Sequence, residues 1–138
     1  MTRRAKTVLI TVVVLAVLIV AGNIAFVWQD DRRAAAFRFA VSEPLPALNR
    51  ITQVAEVKGS LAGSGIGVTI PDKEMANLGP SRWTVSPDGV VRGTAPERGL
   101  VVLLTPEMRD KKVAWNCKVE PEREFTRSTC RFIREVNR

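Results

Sequence analysis

The chain has 138 residues, a net charge of +7 and no histidine. That length supports one small core plus an anchor rather than two cores. Without histidine there is no Ser-His-Asp or Cys-His nucleophile system, no imidazole base and no imidazole metal ligand. Two cysteines exclude a four-cysteine zinc site, so neither a metal, a cofactor nor a small-molecule substrate is expected.

Residues 1–7 form a basic tail. Arg3, Arg4 and Lys6 stand ahead of the hydrophobic run, and beyond them eighteen basic residues face fourteen acidic ones, a mild excess of +4. Such an excess permits attraction to nucleic acid or anionic lipid without specifying either.

Residues 8–28 (VLITVVVLAVLIVAGNIAFVW) contain no charge, and Thr11 and Asn23 are their polar interruptions. The length matches the roughly 20 residues that cross a bilayer, so Val8, Leu15 and Trp28 mark the start, body and end of a membrane anchor in contact with lipid. Trp28 falls where indoles favour the lipid–water boundary. The flanking Arg3, Arg4 and Lys6 place the N-terminus in the cytoplasm and the rest outside, in the periplasm or on a fibre, by the positive-inside rule. Ala21-Gly22 is where signal peptidase would cut if this were a leader, but the long apolar run favours an inner-membrane, single-pass anchor. Arg3-Arg4 alone is too common a pair to mark a twin-arginine signal.

Residues 29–58 form a helical segment on the periplasmic side, rich in Ala and Arg with Glu and Leu among them. Leu48, Ile51 and Ala55 make an apolar stripe, with Leu45 extending it. Pro44 and Pro46 predict a kink or break near residues 42–46, with Pro46 near the start of a second helical piece.

Residues 59–138 form a globular head. It opens on a flexible connector, GSLAGSGIG, whose glycines lack the preceding strand that a phosphate loop requires. Asp72 to Leu78 is expected to make one helical turn capped by Asp72. Arg82 to Val119 reads as sheet. Ser86-Pro87-Asp88-Gly89 suits a type I turn between the strands of a hairpin. Leu100 to Leu104 is continuously apolar, as in a strand covered on both faces that ends at Thr105-Pro106. Val113, Trp115, Cys117 and Val119 alternate with Ala114, Asn116 and Lys118, the period of a half-buried strand. Three or four antiparallel strands behind a helix make an α+β unit.

Cys117 and Cys130 enclose twelve residues in a segment placed outside the cytoplasm, and a structural disulfide is expected. Arg127, Arg131, Arg134 and Arg138, spaced 4, 3 and 4 apart, form one basic stripe if Ser128 to Arg138 is helical. Such a stripe would contact DNA phosphates, with Trp83, Trp115 and Phe125 as stacking surfaces if exposed. The competing reading makes the tryptophans core and the arginines a solvated face. Glu120, Glu122 and Glu124 read as a solvated loop rather than an acid–base pair, so no enzyme is expected.

The chain resembles the type IV pilins in several short runs taken in order. Trp28-Gln29-Asp30 resembles the aromatic-Gln-Asp that ends the hydrophobic half of the pilin helix. Val41-Ser42-Glu43 followed by Leu45 resembles a run further along it. Leu104-Thr105-Pro106, Val113-Ala114-Trp115-Asn116-Cys117 and Thr129-Cys130-Arg131 resemble segments of the head. The resemblance implies a pilin-like fold: a membrane helix continuing into an amphipathic helix packed on a small antiparallel sheet, with a C-terminal disulfide loop. It implies a structural or accessory role in a type IV pilus or a related secretion or DNA-uptake system, with other pilins or assembly proteins as partners. The family's processing glycine and the glutamate shortly after it are missing. Thr2 to Thr11 contains neither, and Leu9 stands where the glutamate is expected.

Overall fold

The computed structural model describes residues 3–75, 78–121, 130, 131 and 133. The chain divides into two compact units, Met1–Arg32 and Arg33–Arg138. The first is helical from Arg3, within helix α1 (Arg3–Phe37). One helix near the N-terminus is long and apolar enough to span a membrane.

In the second unit, the end of α1 buries Ala35 and Ala36. A π-helical turn, Arg38–Ser42, follows and buries Phe39, Ala40 and Val41. It closes with the Glu43 N–H donating to the Arg38 carbonyl at 3.0 Å. Helix α2 (Leu45–Lys58) then starts after Pro44, with Pro46 in its first turn, where a missing N–H costs no helical hydrogen bond. The break thus falls where two prolines deny the chain a continuous ladder.

Helix α2 buries Ala47, Leu48, Ile51 and Ala55. Leu45 departs from the expected stripe and is 37% exposed. Each backward step of three residues falls about 60° short of a full turn, so two steps carry Leu45 off the core face.

Five strands form an antiparallel meander in the order β1-β2-β3-β4-β5: β1 Lys73–Met75, β2 Gly79–Val85, β3 Val91–Ala95, β4 Leu100–Arg109 and β5 Lys112–Glu120. The fold is therefore α+β, with one or two strands more than the sequence suggested. The added strand is β1. Residues 73–75 pair with Ser81, Pro80 and Gly79 instead of forming the expected helical turn. Asp72 caps no helix; its Oδ1 accepts the Trp83 N–H at 3.2 Å.

The connector is packed. Ser64, Val68 and Ile70 are buried, and the Gly65 N–H donates to the Pro87 carbonyl at 2.9 Å. Gly65 permits close approach to the β2–β3 turn, where a Cβ would meet the Ser86 carbonyl and the Gly89 nitrogen, and in that turn the Gly89 N–H donates to the Ser86 carbonyl at 3.0 Å. Gly89 has φ +86°, and a Cβ there would lie 2.7 Å from Ile51 Cγ2 and 2.8 Å from Ser64 Oγ. Only glycine suits both the dihedral and the space.

Strand β4 corrects two expectations. It continues through Pro106 to Arg109, and from Leu100 to Pro106 its residues alternate between buried and half-buried rather than being covered on both faces. The continuous apolar run arises because Val101 and Leu103 occupy the outer face. Pro106 is tolerated because of its register. Asp110 and Lys111 have φ of 49° and 64°, the two-residue turn that makes Arg109 and Lys112 a hydrogen-bonded pair. Alternation makes Pro106 opposite Trp115 a non-hydrogen-bonded pair. Its nitrogen therefore faces the β3 side, beyond the last β3–β4 pair, Val91 with Leu104. No ladder bond is lost.

Candidate functional site

The chemistry-bearing side chains fall into three groups: the apolar surface of α1, the polar anchors that fasten helix to sheet, and the cysteine pair.

On α1, the expected anchor residues Val8, Leu15 and Trp28 are 63%, 56% and 63% exposed. So are the apolar side chains between them. A helix apolar on every side has no favourable surface in water. Asn23 interrupts it, its Nδ2 donating to the Ile19 carbonyl at 3.0 Å.

In the second unit, the π-helical turn positions Phe39 and Glu43 toward β2. Phe39 is fully buried, and its ring centroid lies 4.9 Å from that of Trp83. Glu43 Oε2 accepts the Trp83 indole N–H at 2.8 Å and the Ser81 hydroxyl at 3.3 Å. Ser81 also accepts the Lys73 N–H at 3.3 Å, which ties β1 into the group. The Trp83 ring lies across Gly93, where a Cβ would come within 2.5 Å of it. The carboxylate satisfies an indole that would be costly to bury unpaired, and the Ser81 hydroxyl has the Lys73 carbonyl, at 3.1 Å, as a second acceptor.

A second fastening joins α2 to β5. The Trp115 indole N–H donates to Thr52 Oγ1 at 3.0 Å. Glu56 accepts the Val113 backbone N–H at 3.1 Å and pairs with Lys112 at 3.2 Å. The Val113 hydrogen bond and then Lys112 hold the Glu56 carboxyl below its ordinary value. The Val113 N–H points away from β4, so this carboxylate also caps a sheet edge that would otherwise stay open. Neither fastening was evident in the sequence. The available signal was the spacing of Thr52 and Glu56, four apart and one residue after the buried Ile51 and Ala55.

Cys117 and Cys130 are bonded, with S–S 2.03 Å and Cα–Cα 5.2 Å, and both are buried. Nearby Ile133 is also buried.

The basic stripe is not assembled by the described residues. Arg131 is helical and exposed, whereas Arg127, Arg134 and Arg138 lie outside the described residues, as do Phe125, Glu122 and Glu124. Trp83 and Trp115 are 8% and 2% exposed, so neither offers a stacking face, and both belong to the core. Glu120 pairs with Lys118 at 2.8 Å, and that hydrogen bond lowers its carboxyl pKa. Among the described residues, no group of three or more Cys, Asp or Glu side chains is placed to hold a metal ion.

The arrangement can fasten a small domain together and present an apolar helix to lipid. Comparisons with protein-family models, curated proteins and solved structures find no match to this chain.

Proposed function

We propose that this chain is a membrane-anchored, pilin-like structural or accessory component of a type IV pilus or a related secretion or DNA-uptake system, retained in the inner membrane with its head outside the cytoplasm. The observation that carries the reading is the order of parts. An uncharged, predominantly apolar helical run is followed by a broken helix whose buried face serves an antiparallel meander. A disulfide then ties the last strand to a C-terminal segment. The pilin-like runs in the sequence support the same reading.

Membrane retention follows from charge. Arg3, Arg4 and Lys6 would each cost at least about 2.5–3.5 kcal/mol at the bilayer centre, so a helix that keeps them resists extraction into a fibre. The missing glycine and glutamate support the same reading.

The test combines topology and fractionation. A reporter active only outside the cytoplasm, fused after Arg138, should be active, and the chain should remain with inner membranes when surface fibres are sheared off. An inactive reporter, or abundant chain in purified fibres, contradicts the reading.

A further inference from the structure

We propose that the apolar helix pairs within the membrane with a second copy of this chain, in parallel, along a seam centred on Asn23. This rests on the reading that residues 8–28 span the bilayer with one orientation in every copy.

Asn23 has more hydrogen-bonding capacity than its own helix satisfies. An amide side chain offers two N–H donors and one oxygen acceptor. The Ile19 carbonyl takes one donor at 3.0 Å; the second donor and Oδ1 have no partner among the described residues. Hydrocarbon supplies none. Trp28, at the boundary, is five residues further on, about 7–8 Å along the axis. That is beyond the reach of a short amide, unlike the long stems of lysine and arginine. A polar group held at such depth finds its partner on another helix.

A continuous face through Asn23 can seat a close neighbour. Val12, Ala16, Ile19, Asn23 and Phe26 recur at spacings of 4, 3, 4 and 3, the seam along which two helices pack. Val12, Ile19 and Phe26 are 60%, 58% and 64% exposed. Gly22 flanks Asn23 and carries no side chain, so a second backbone can approach there. Asp30 continues the stripe beyond Trp28, where water and salt screen the like charges of two copies.

Self-complementarity selects the occupant. Copies inserted with one orientation carry Asn23 at one depth. An amide is its own complement: the free N–H of each copy meets Oδ1 of the other, and a twofold axis makes the exchange reciprocal. A partner without a polar side chain at that depth leaves both groups unpaired.

The test uses the full chain with donor or acceptor fluorescent domains fused after Arg138. The chain is reconstituted in phosphatidylcholine–phosphatidylglycerol vesicles across a range of protein-to-lipid ratios. Energy transfer should rise with protein density. Asn23→Leu should lower the association constant about three- to tenfold, whereas Asn23→Gln, which keeps the amide, should retain most of it. Val14→Leu, half a turn round the helix, should leave it unchanged. Asn23→Leu associating like the parent overturns the seam. A parent that stays monomeric at every ratio overturns the second copy as occupant and points to a different helix. Alkaline carbonate extraction separates these failures from failure of the anchor. Chain that remains in the vesicles without associating contradicts the pairing alone, and chain that washes off contradicts the membrane reading beneath it.

Discussion

The Trp83 indole N–H meets Glu43 Oε2 at 2.8 Å, just where a π-helical turn ends at Glu43. The π-helical turn adds a residue to the Arg38–Glu43 hydrogen-bonded ring. That extra residue accompanies the placement of Phe39 against the Trp83 ring and of Glu43 beneath its nitrogen. Glu43→Ala should therefore destabilise the full chain in detergent by about 1–3 kcal/mol, because the buried Trp83 indole N–H loses its acceptor, whereas the Ser81 hydroxyl keeps the Lys73 carbonyl at 3.1 Å. Chemical unfolding followed by tryptophan fluorescence reads the loss. Trp83→Phe keeps the ring contact and removes the N–H, so a double-mutant cycle should show coupling between the two positions. Additive effects would sever the relationship.

The cysteine pair closes a loop whose loss should cost about 3 kcal/mol in the chain-entropy account. Non-reducing peptide mass analysis should recover Cys117 joined to Cys130. Cys117→Ser paired with Cys130→Ser should unfold at lower denaturant concentration without abolishing membrane insertion. Free thiols in protein taken from outside the cytoplasm would contradict the bridge.

Acid should weaken the α2–β5 fastening. The folded-state pKa of Glu56 is lowered from 4.5 by the Val113 N–H and then by Lys112. Its stabilising effect is therefore complete above that value and is lost as pH falls through the lower folded-state one. Glu107, beside Arg109 and Asn116, and Glu120, beside Lys118, shift in the same direction. Unfolding midpoints should fall from about pH 5 to pH 3, and Glu56→Gln should flatten part of that slope. A slope unchanged by Glu56→Gln would assign the effect to the other carboxylates.

Legibility followed the strength of local periodicity. The alternation of Val113, Trp115, Cys117 and Val119 was readable because that strand buries one face only, and all four are buried. The break before Leu45 was readable because proline acts through its own covalent geometry. Strand β1 was not, because a three-residue strand carries no period, and Asp72 satisfies a strand N–H with the same oxygen that would cap a helix. The length of β4 was obscured by Pro106, whose tolerance depends on register with the neighbouring strands. Glu43 and Glu56 were hidden for a similar reason. Their partners, Trp83 and Val113, are 40 and 57 residues away, and no local pattern encodes such pairings.

The mass of the mature N-terminal peptide shows whether this chain keeps its basic N-terminal tail and stays in the membrane. Chain isolated from the inner-membrane fraction should yield a peptide that retains Arg3, Arg4 and Lys6. The missing glycine and Leu9 in place of a glutamate motivate that expectation, and the cost of moving such charges through the bilayer makes it consequential. An N-terminus beginning within or after residues 8–28, especially on chain recovered from sheared fibres, would contradict the account.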